Sequence, residues 1–252
     1  MASTMSRPLR KVLKGVALFV LYIAVWQVLS MLVDSHLLLP SPWDTAKSFG
    51  KILTDGEAWK TIGFTFLRIL SGFVLGCLFG VLLAILTANS KVFAFLLSPL
   101  RTLIKTTPIT SFALLLLIAV VSNLVPVVVS MIVVIPMIWQ TTEQAILSLD
   151  PKLDEMARLY FRPWKRHLTV SVPQILPQFT ASAATALGFA WKAVITAEIL
   201  ALPQFGIGNE MYLCKLYLEY ADLFAWTLLV IGLSVLMEQG FRLLVKRTGG
   251  VA

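Results

Sequence analysis

Charged residues are scarce in this chain of 252 residues, of which only 13% are Asp, Glu, Lys or Arg. Soluble domains carry about a quarter of such residues, and their polar side chains interrupt the apolar ones. Here 58% of the residues are hydrophobic, and several apolar runs reach the length of about 20 residues that crosses a bilayer as a helix. Packing all of these runs in a soluble fold would leave no polar surface for water, so a soluble domain is excluded.

Cysteine and histidine are also rare, with two residues of each. Cys77 lies within an apolar run and Cys214 in a polar loop, so we do not expect a disulfide between them. His36 and His167 lie far apart, and none of the four residues has the spacing of metal ligands. The apolar runs contain no Ser-His-Asp or Cys-His arrangement. The sequence therefore predicts no metal site and no catalytic residue.

A phosphate-binding loop of the form G-x-x-x-x-G-K-[ST] is absent from the chain, and so is any other glycine-rich phosphate cradle. We therefore expect no nucleotide or other cofactor on this chain. The chain itself is not expected to be an enzyme.

The apolar runs predict an all-α bundle of six transmembrane spans, treated as one domain over residues 1–252, because backbone groups in lipid must bond within their own segment. The spans are Gly15–Val33, Ile62–Ala88, a third with its apolar core at Ile109–Val121, Val125–Leu147, Gln178–Ala201 and Leu223–Val245. The stretch Phe93–Ile104 is either a separate helix or an extension of the third span. Pro136 is predicted to bend the fourth span, and a short amphipathic helix is predicted after Pro42.

Basic residues are unevenly distributed between the connections. They concentrate in the N-terminal segment, between the second and third spans, in the loop after the fourth span and at the C-terminus. With six spans, all these segments lie on one side, and the excess of Lys and Arg marks that side as cytoplasmic. Both termini are therefore predicted to be cytoplasmic. This topology explains the net charge of +8, so nucleic acid binding is not expected.

The loop from Leu149 to Pro177 is too polar to span a membrane, yet it is regularly patterned. Residues Pro151–Tyr160 predict a short helix, with Asp150 as its cap and proline at the first position. Leu153, Met156 and Tyr160 recur at helical spacing and form an apolar face. Such a helix either docks in a groove of a partner protein or lies on the membrane surface. Composition alone leaves both interpretations open.

The order of several motifs resembles that of one family of membrane proteins. The loop resembles the EAA loop of ABC importer permeases, and the chain from about Leu39 onward is similar to the permeases of nitrate, sulfonate, taurine and bicarbonate importers. The motifs are Glu155-Met156-Ala157 with Val172-Pro173 and Pro177 in the loop, TFLRILSGFVLGCLFGVLLAIL at Thr65–Leu86, Ala190-Trp191, Ala197-Glu198, Gly206-x-Gly208 and ADLFAWTLLVIGL in the last span. The family usually has a glycine shortly after the alanine pair, where this chain has Tyr160-Phe161.

The resemblance implies the type I importer fold and a role as the permease subunit of an ATP-driven importer in the bacterial cell membrane. Its partners would be ATPase subunits that hold ATP and magnesium, a second permease copy in an expected homodimer, and an extracytoplasmic substrate-binding protein. The solute would be a small polar or anionic compound, such as nitrate, a sulfonate, taurine, bicarbonate or a thiamine precursor. The resemblance also implies coupling to the ATPase through residues Asp154, Glu155, Met156, Ala157, Arg158 and Tyr160.

Ionisable residues within spans are candidates for the transport pathway. Arg68 either extends to the outer headgroups or faces the pathway. Glu198 either pairs with Arg68 across the bundle or lines a gate, and Trp191 lies on the same helix face. Lys192 points roughly 120° away from Glu198 around the helix, so no pair between them is expected. An alternative function is a secondary transporter or channel that uses Glu198, Lys192 or Arg68.

Small residues in the second span suggest a close helix contact, because Gly72, Gly76 and Gly80 lie at intervals of four residues. The contact is either static or a sliding surface between two transport states. We expect this glycine stripe, with Trp191 and Glu198, to lie near the interface between two copies of the chain.

Overall fold

The computed structural model describes residues 7–33 and 39–247, and every regular element within them is helical. The α-helices are α1 (Arg7–Val33), α2 (Pro42–Thr54), α3 (Gly56–Asn89), α4 (Lys91–Thr106), α5 (Ile109–Ala119), α6 (Val125–Leu147), α7 (Pro151–Tyr160), α8 (Pro163–Arg166), α9 (Val172–Ala201), α10 (Ile207–Leu216) and α11 (Tyr220–Arg247). A short π-helical turn, His167–Ser171, joins α8 to α9. The prediction of an all-α protein is confirmed.

Five described helices are long and apolar enough to cross a membrane, and a sixth span is possible by length and composition if α4 and α5 are counted together. These two helices meet at an angle of 103°. The bend falls at Thr107 and Pro108, where proline lacks a backbone N–H and disfavours helical geometry in the residue before it. The stretch Phe93–Ile104 therefore belongs to a separate helix, α4, and the third apolar run alone forms α5.

The start of the fifth span differs from the prediction. The sequence placed it at Gln178, after Pro177, whereas α9 begins at Val172 and contains both Pro173 and Pro177. A proline ring collides with the carbonyl four residues earlier, which for Pro173 belongs to Thr169 in the π-helical turn. The widened turn lets the chain pass this proline while staying helical. The polar loop therefore continues directly into the span.

The chain divides into two compact units, Met1–Ala58 with Glu210–Leu229 and Trp59–Asn209 with Val230–Ala252. The prediction of a single permease domain stays a prediction. In the first unit, the Trp26 indole N–H donates to the carbonyl oxygen of Pro40 at 3.2 Å, and the Ser30 hydroxyl donates to that of Leu39 at 2.9 Å. These bonds fix the segment that leads into α2, whose first turn is capped by Ser41.

In the second unit, α6 and α9 form the most extensively buried pair of helices. Their contact is rich in alanine and valine, small residues that let helices approach closely in lipid. A buried cluster joins them to α5 and consists of Ala113, Val125, Val129, Ala193, Ala197 and Ala201. This cluster holds the C-terminal part of α9, which also carries the site described next.

Candidate functional site

A buried ion pair links α3 to α9. Arg68 is buried, Glu198 has no exposed surface, and the Arg68 Nη1 donates to the Glu198 Oε1 at 2.9 Å. The Thr65 hydroxyl, one turn before Arg68, lies 3.0 Å from both carboxylate oxygens. The pairing of Arg68 with Glu198 was one of two predicted alternatives, and the contacts confirm it. Arg68 does not extend to the headgroups, because its guanidinium is enclosed by the chain.

The segment between α9 and α10 closes over this pair. Arg68 donates to two backbone oxygens, that of Phe205 at 2.8 Å and that of Gln204 at 2.7 Å. The Gly208 N–H donates to the Glu198 Oε2 at 3.0 Å. Both charged groups are thus bonded in several directions, as a charge buried in a membrane protein requires. The ion pair holds the segment after α9 against α3.

Glycine is sterically required in this segment. A Cβ atom at Gly208 would lie 2.6 Å from the Glu198 Cβ and 2.6 Å from the Ile195 carbonyl oxygen. One at Gly206 would lie 3.0 Å from the Glu198 Cδ. The Gly206-x-Gly208 motif therefore allows the segment to lie close to Glu198. Its position in the sequence gave no direct sign of that contact.

Arg68 and Glu198 are enclosed in the described chain, and their predicted place in the pathway stays a prediction. Neither side chain offers a surface to a passing solute, because both are covered by the chain that carries them. Trp191, on the same face of α9 as Glu198, is also buried. Lys192 is exposed and makes no pair with Glu198, as its angle around the helix predicts. Of these four candidates, only Lys192 presents a charge at the surface of the described chain.

The glycine stripe contacts α6 of the same chain. A Cβ atom at Gly72 would lie 2.4 Å from the Ser130 Cβ, and one at Gly76 would lie 2.6 Å from the Val134 Cβ. The glycine side of α3 is therefore filled by the neighbouring helix of the same chain. The expected location of the stripe near an interface between copies stays a prediction. These contacts favour tight packing within one chain.

Helix α7 has the predicted bounds and the predicted cap. The Asp150 side chain accepts a hydrogen bond from the Lys152 N–H at 2.9 Å. Met156 and Tyr160 are exposed, the latter by 77%. Ala157 is only 3% exposed, because it packs against its own chain. Of the predicted coupling residues, Ala157 is buried, and Glu155, Met156, Arg158 and Tyr160 are exposed. The side chain of Asp154 lies outside the described residues.

The chain leaves α7 at Phe161 in an extended conformation, with a φ of −125°. Any residue adopts this geometry, so the glycine that the family usually has after the alanine pair is not required here. The other end of α7 is tied to α9, because the Asp150 N–H donates to the Gln174 Oε1 at 3.3 Å. The loop helix and the span that follows it are thus directly linked.

A second ion pair was missed by the sequence analysis. Glu143, buried near the C-terminal end of α6, pairs with Arg101 of α4. The Arg101 guanidinium lies 5.1 Å from the centre of the Trp139 ring, and the Trp139 indole N–H donates to Thr87 at 2.9 Å. Glu143 is an ionisable residue inside a predicted span, and that signal was available in the sequence. This cluster joins α3, α4 and α6.

Metal ligands are not grouped in the part of the chain that the structure describes, where no three His, Cys, Asp or Glu side chains lie close enough to hold an ion. Burial, reinforced by the nearby carboxylates of Asp222, Glu219 and Glu210, raises the pKa of the Cys214 thiol to about 12. The thiolate is the reactive form of cysteine, and a raised pKa disfavours it at neutral pH.

Comparison with known proteins identifies the family. Residues 72–250 match the family described as binding-protein-dependent transport system inner membrane component. The chain belongs to this family. It is thus a membrane-spanning component of ABC importers, and the multi-pass membrane location follows from the same match and from the apolar helices.

Curated relatives agree with this assignment. The chain is 26% identical over 242 residues to the "Putative aliphatic sulfonates transport permease protein SsuC" of Bacillus subtilis, a match that covers 93% of this chain and 86% of the relative. It is also 26% identical to a "Probable ABC transporter permease protein" of Brucella melitensis, over 88% of this chain and 91% of the relative. The predicted resemblance is confirmed.

Solved structures confirm the fold. The MetNI methionine ABC transporter in an inward-facing conformation matches with a TM-score of 0.59 and 20% identity, over 75% of this chain and 93% of the other. An amino acid ABC transporter solved with histidines matches with a TM-score of 0.53 and 18% identity, over 75% of this chain and 88% of the other. The permease therefore has the type I importer fold that the sequence predicts.

Proposed function

We propose that this permease forms half of the pathway of an ATP-driven importer and receives motion from separate ATPase subunits through α7. The observation that carries this proposal is the exposed apolar surface of α7, where Met156, Leu159 and Tyr160 are each more than half exposed. A ten-residue helix is too short to span a bilayer. Its apolar side therefore needs a partner, and a helix in a groove is a common form of such docking.

Docking to a protein is favoured over binding to the membrane surface. Interfacial helices are typically rich in Lys and Arg on their polar face. The polar positions of α7 instead mix Lys152 and Arg158 with Asp154 and Glu155. The bond between Asp150 and Gln174 also gives α7 a path to α9. A rigid-body shift of the ATPase would reach the span through this connection.

The complete transporter would contain two copies of this permease, two ATPases that hold ATP and magnesium, and an extracytoplasmic binding protein. The solute is a small polar or anionic compound. The relative named for aliphatic sulfonates supports the sulfonate class among the nitrate, taurine, bicarbonate and thiamine-precursor alternatives. The alternative of a secondary transporter or channel that uses Glu198, Lys192 or Arg68 has less support, because Arg68 and Glu198 are bonded to each other and enclosed.

Changing Met156 to Asp is expected to separate the permease from its ATPase. The substitution places a charge on the apolar side of α7, and an unpaired charge desolvated in an interface costs several kcal/mol. Co-purification of the two subunits from membranes measures the effect. Glu155→Lys is also expected to weaken binding of the ATPase. Thr169→Asp is the matched control, since Thr169 is exposed in the same loop but lies outside α7. Undiminished ATPase binding by Met156→Asp would contradict docking through α7.

The proposed orientation places both termini and α7 in the cytoplasm. In a variant with Cys77 and Cys214 replaced by alanine, a cysteine introduced at Asp55 or Glu219 is expected to react with an impermeant thiol reagent added outside intact cells. A cysteine at Lys165 is expected to react only after the membrane is opened, because the basic loop is retained inside. Labelling of the Lys165 position from outside would reverse the orientation.

A further inference from the structure

Lys192 lies at a depth where an exposed charge cannot face lipid. It is exposed, and it precedes the C-terminal end of α9 at Ala201 by nine residues, or about 13 Å of helix. Its Nζ lies 5.7 Å from the centre of the Phe189 ring. Phe189 is about one helical turn further from that end than Lys192. The ammonium therefore does not extend toward the nearer membrane surface. A charge at this depth faces water or protein, so this side of α9 is not a lipid-facing surface.

A groove of about 560 Å³ runs between α9 and α11 beside Lys192. Its polar lining comes from Thr185, Trp191, Lys192, Ser234, Glu238 and Arg242. We call it the α9–α11 groove. Phe189, Ile231 and Val235 supply apolar wall, so the groove combines a few polar groups with a largely apolar surface, as sites for small molecules do.

The charges in this groove do not cancel. Arg242 donates to Glu238 at 2.7 Å, which satisfies the only carboxylate among the residues that line the groove in the described structure. Lys192 makes no ion pair with any described residue. Two cations and one carboxylate leave the groove with an excess of one positive charge. It therefore favours a ligand with a single negative charge.

A buried donor among the residues that line the groove also lacks an acceptor. The Trp191 side chain lines the groove, and its Nε1 is buried with no hydrogen-bond partner in the described structure. Leaving a buried donor unsatisfied costs about 1–3 kcal/mol. The groove lining therefore contains two donors without an acceptor among the described residues, this indole N–H and the Lys192 ammonium, and an anionic oxygen can accept from such donors.

We propose that the α9–α11 groove binds a small organic monoanion, a sulfonate or carboxylate, during its passage through the permease. The anionic head bonds to Lys192, and the apolar stem contacts Phe189 and the α11 wall. A lipid phosphate offers similar chemistry, but lipid headgroups lie at the membrane surface, and Lys192 lies well inside the span. The inference rests on the proposed import function and deepens it, because it assigns the solute a single negative charge and a binding surface in the permease.

Thiol labelling tests this assignment directly. Ser234→Cys is made in the full-length chain with Cys77 and Cys214 replaced by alanine, and the protein is purified in lipid-detergent micelles. Two thiosulfonate reagents of similar size are compared, the anionic 2-sulfonatoethyl and the cationic 2-trimethylammonioethyl methanethiosulfonate. The anionic reagent is expected to react faster. Adding Lys192→Gln is expected to lower the ratio of the two rates about tenfold, whereas Lys192→Arg is expected to preserve it.

Competition distinguishes the two sources of an anion. Ethanesulfonate is expected to slow labelling, while a short-chain phosphatidylglycerol is not. Equal rates for the two reagents, no reaction with either, or protection by the lipid alone would each overturn the proposal. If Ser234→Cys does not fold, Thr185→Cys provides a second position in the groove. If the ratio of the two labelling rates is unchanged in Lys192→Gln while the ATPase still co-purifies, the groove is not an anion site, and the import function stands. If the unaltered chain does not bind an ATPase, the proposed import function is refuted.

Discussion

Replacing Arg68 with methionine is expected to destabilise the permease by about 3–5 kcal/mol. The substitution removes the positive partner of Glu198 and leaves a carboxylate with no exposed surface. It also removes the donors to the backbone oxygens of Gln204 and Phe205. Thermal unfolding of the purified protein in detergent measures the loss. The matched control is Arg242→Met, because the exposed pair of Arg242 with Glu238 is worth at most about 1 kcal/mol.

A double variant separates the cost of the unpaired charge from the cost of the lost backbone contacts. Removing one member of a buried ion pair is costly, but replacing both members with neutral groups is often close to neutral. Arg68→Met combined with Glu198→Gln is therefore expected to recover most of the stability lost in Arg68→Met alone. The same unfolding temperature in the single and double variants would show that the lost backbone contacts dominate. An unfolding temperature of Arg68→Met equal to that of the unaltered protein would contradict the buried pair itself.

Local patterns were sufficient to predict most of the helices. The bounds of α6 and α7 follow from their sequence, because apolar length defines the first and a cap followed by proline defines the second. The bend between α4 and α5 and the early start of α9 were not predicted. Both depend on how the chain accommodates proline, at Pro108 by breaking the helix and at Pro173 through a π-helical turn. A proline alone does not distinguish these outcomes.

The candidate site was only partly predictable. An arginine and a glutamate in two spans suggest a pair, and the sequence analysis offered it as one of two alternatives. The bonds from Arg68 to the backbone of Gln204 and Phe205 carry no sequence signal, because every residue has a carbonyl oxygen. The exposed position of Lys192 and the buried position of Trp191 depend on which faces of α9 are covered. Neighbouring residues in one helix therefore have different environments that periodicity alone does not assign.

Helix α9 connects the two ends of the proposed mechanism. Near its C-terminal end, Glu198 holds the segment after the helix, and Gln174 near its N-terminal end bonds to the start of α7. Its middle contacts α6, because the Ser182 hydroxyl donates to the Met137 carbonyl oxygen at 3.3 Å. A shift of α7 would therefore move α9 as a body, and with it the wall of the α9–α11 groove. Transmission through a packed, rigid element is an established form of conformational coupling.

Replacing Gly76 with leucine is expected to prevent normal packing of α3 on α6. The Cβ alone would lie 2.6 Å from the Val134 Cβ and 2.8 Å from its Cγ1, and the rest of the leucine side chain has no free volume beyond it. Overpacking of this kind costs typically about 1–3 kcal/mol, and more where backbone must move. Gly72→Leu is expected to be worse, because its Cβ would also lie 2.6 Å from the Val127 carbonyl oxygen. We expect loss of monodisperse protein and a lower unfolding temperature.

Gly63→Leu is the matched control, since Gly63 lies in the same helix and an added Cβ there has nothing within 4 Å. Leucine is a better helix former than glycine by about 1 kcal/mol, so this variant is expected to be as stable as the unaltered protein or more so. The expected changes in stability at Gly63 and Gly76 have opposite signs. This difference separates the effect of the contact with α6 from any general effect of leucine. If Gly76→Leu kept full stability but abolished uptake, the stripe would be a sliding surface between transport states. Full stability together with full uptake would contradict the close packing of α3 on α6.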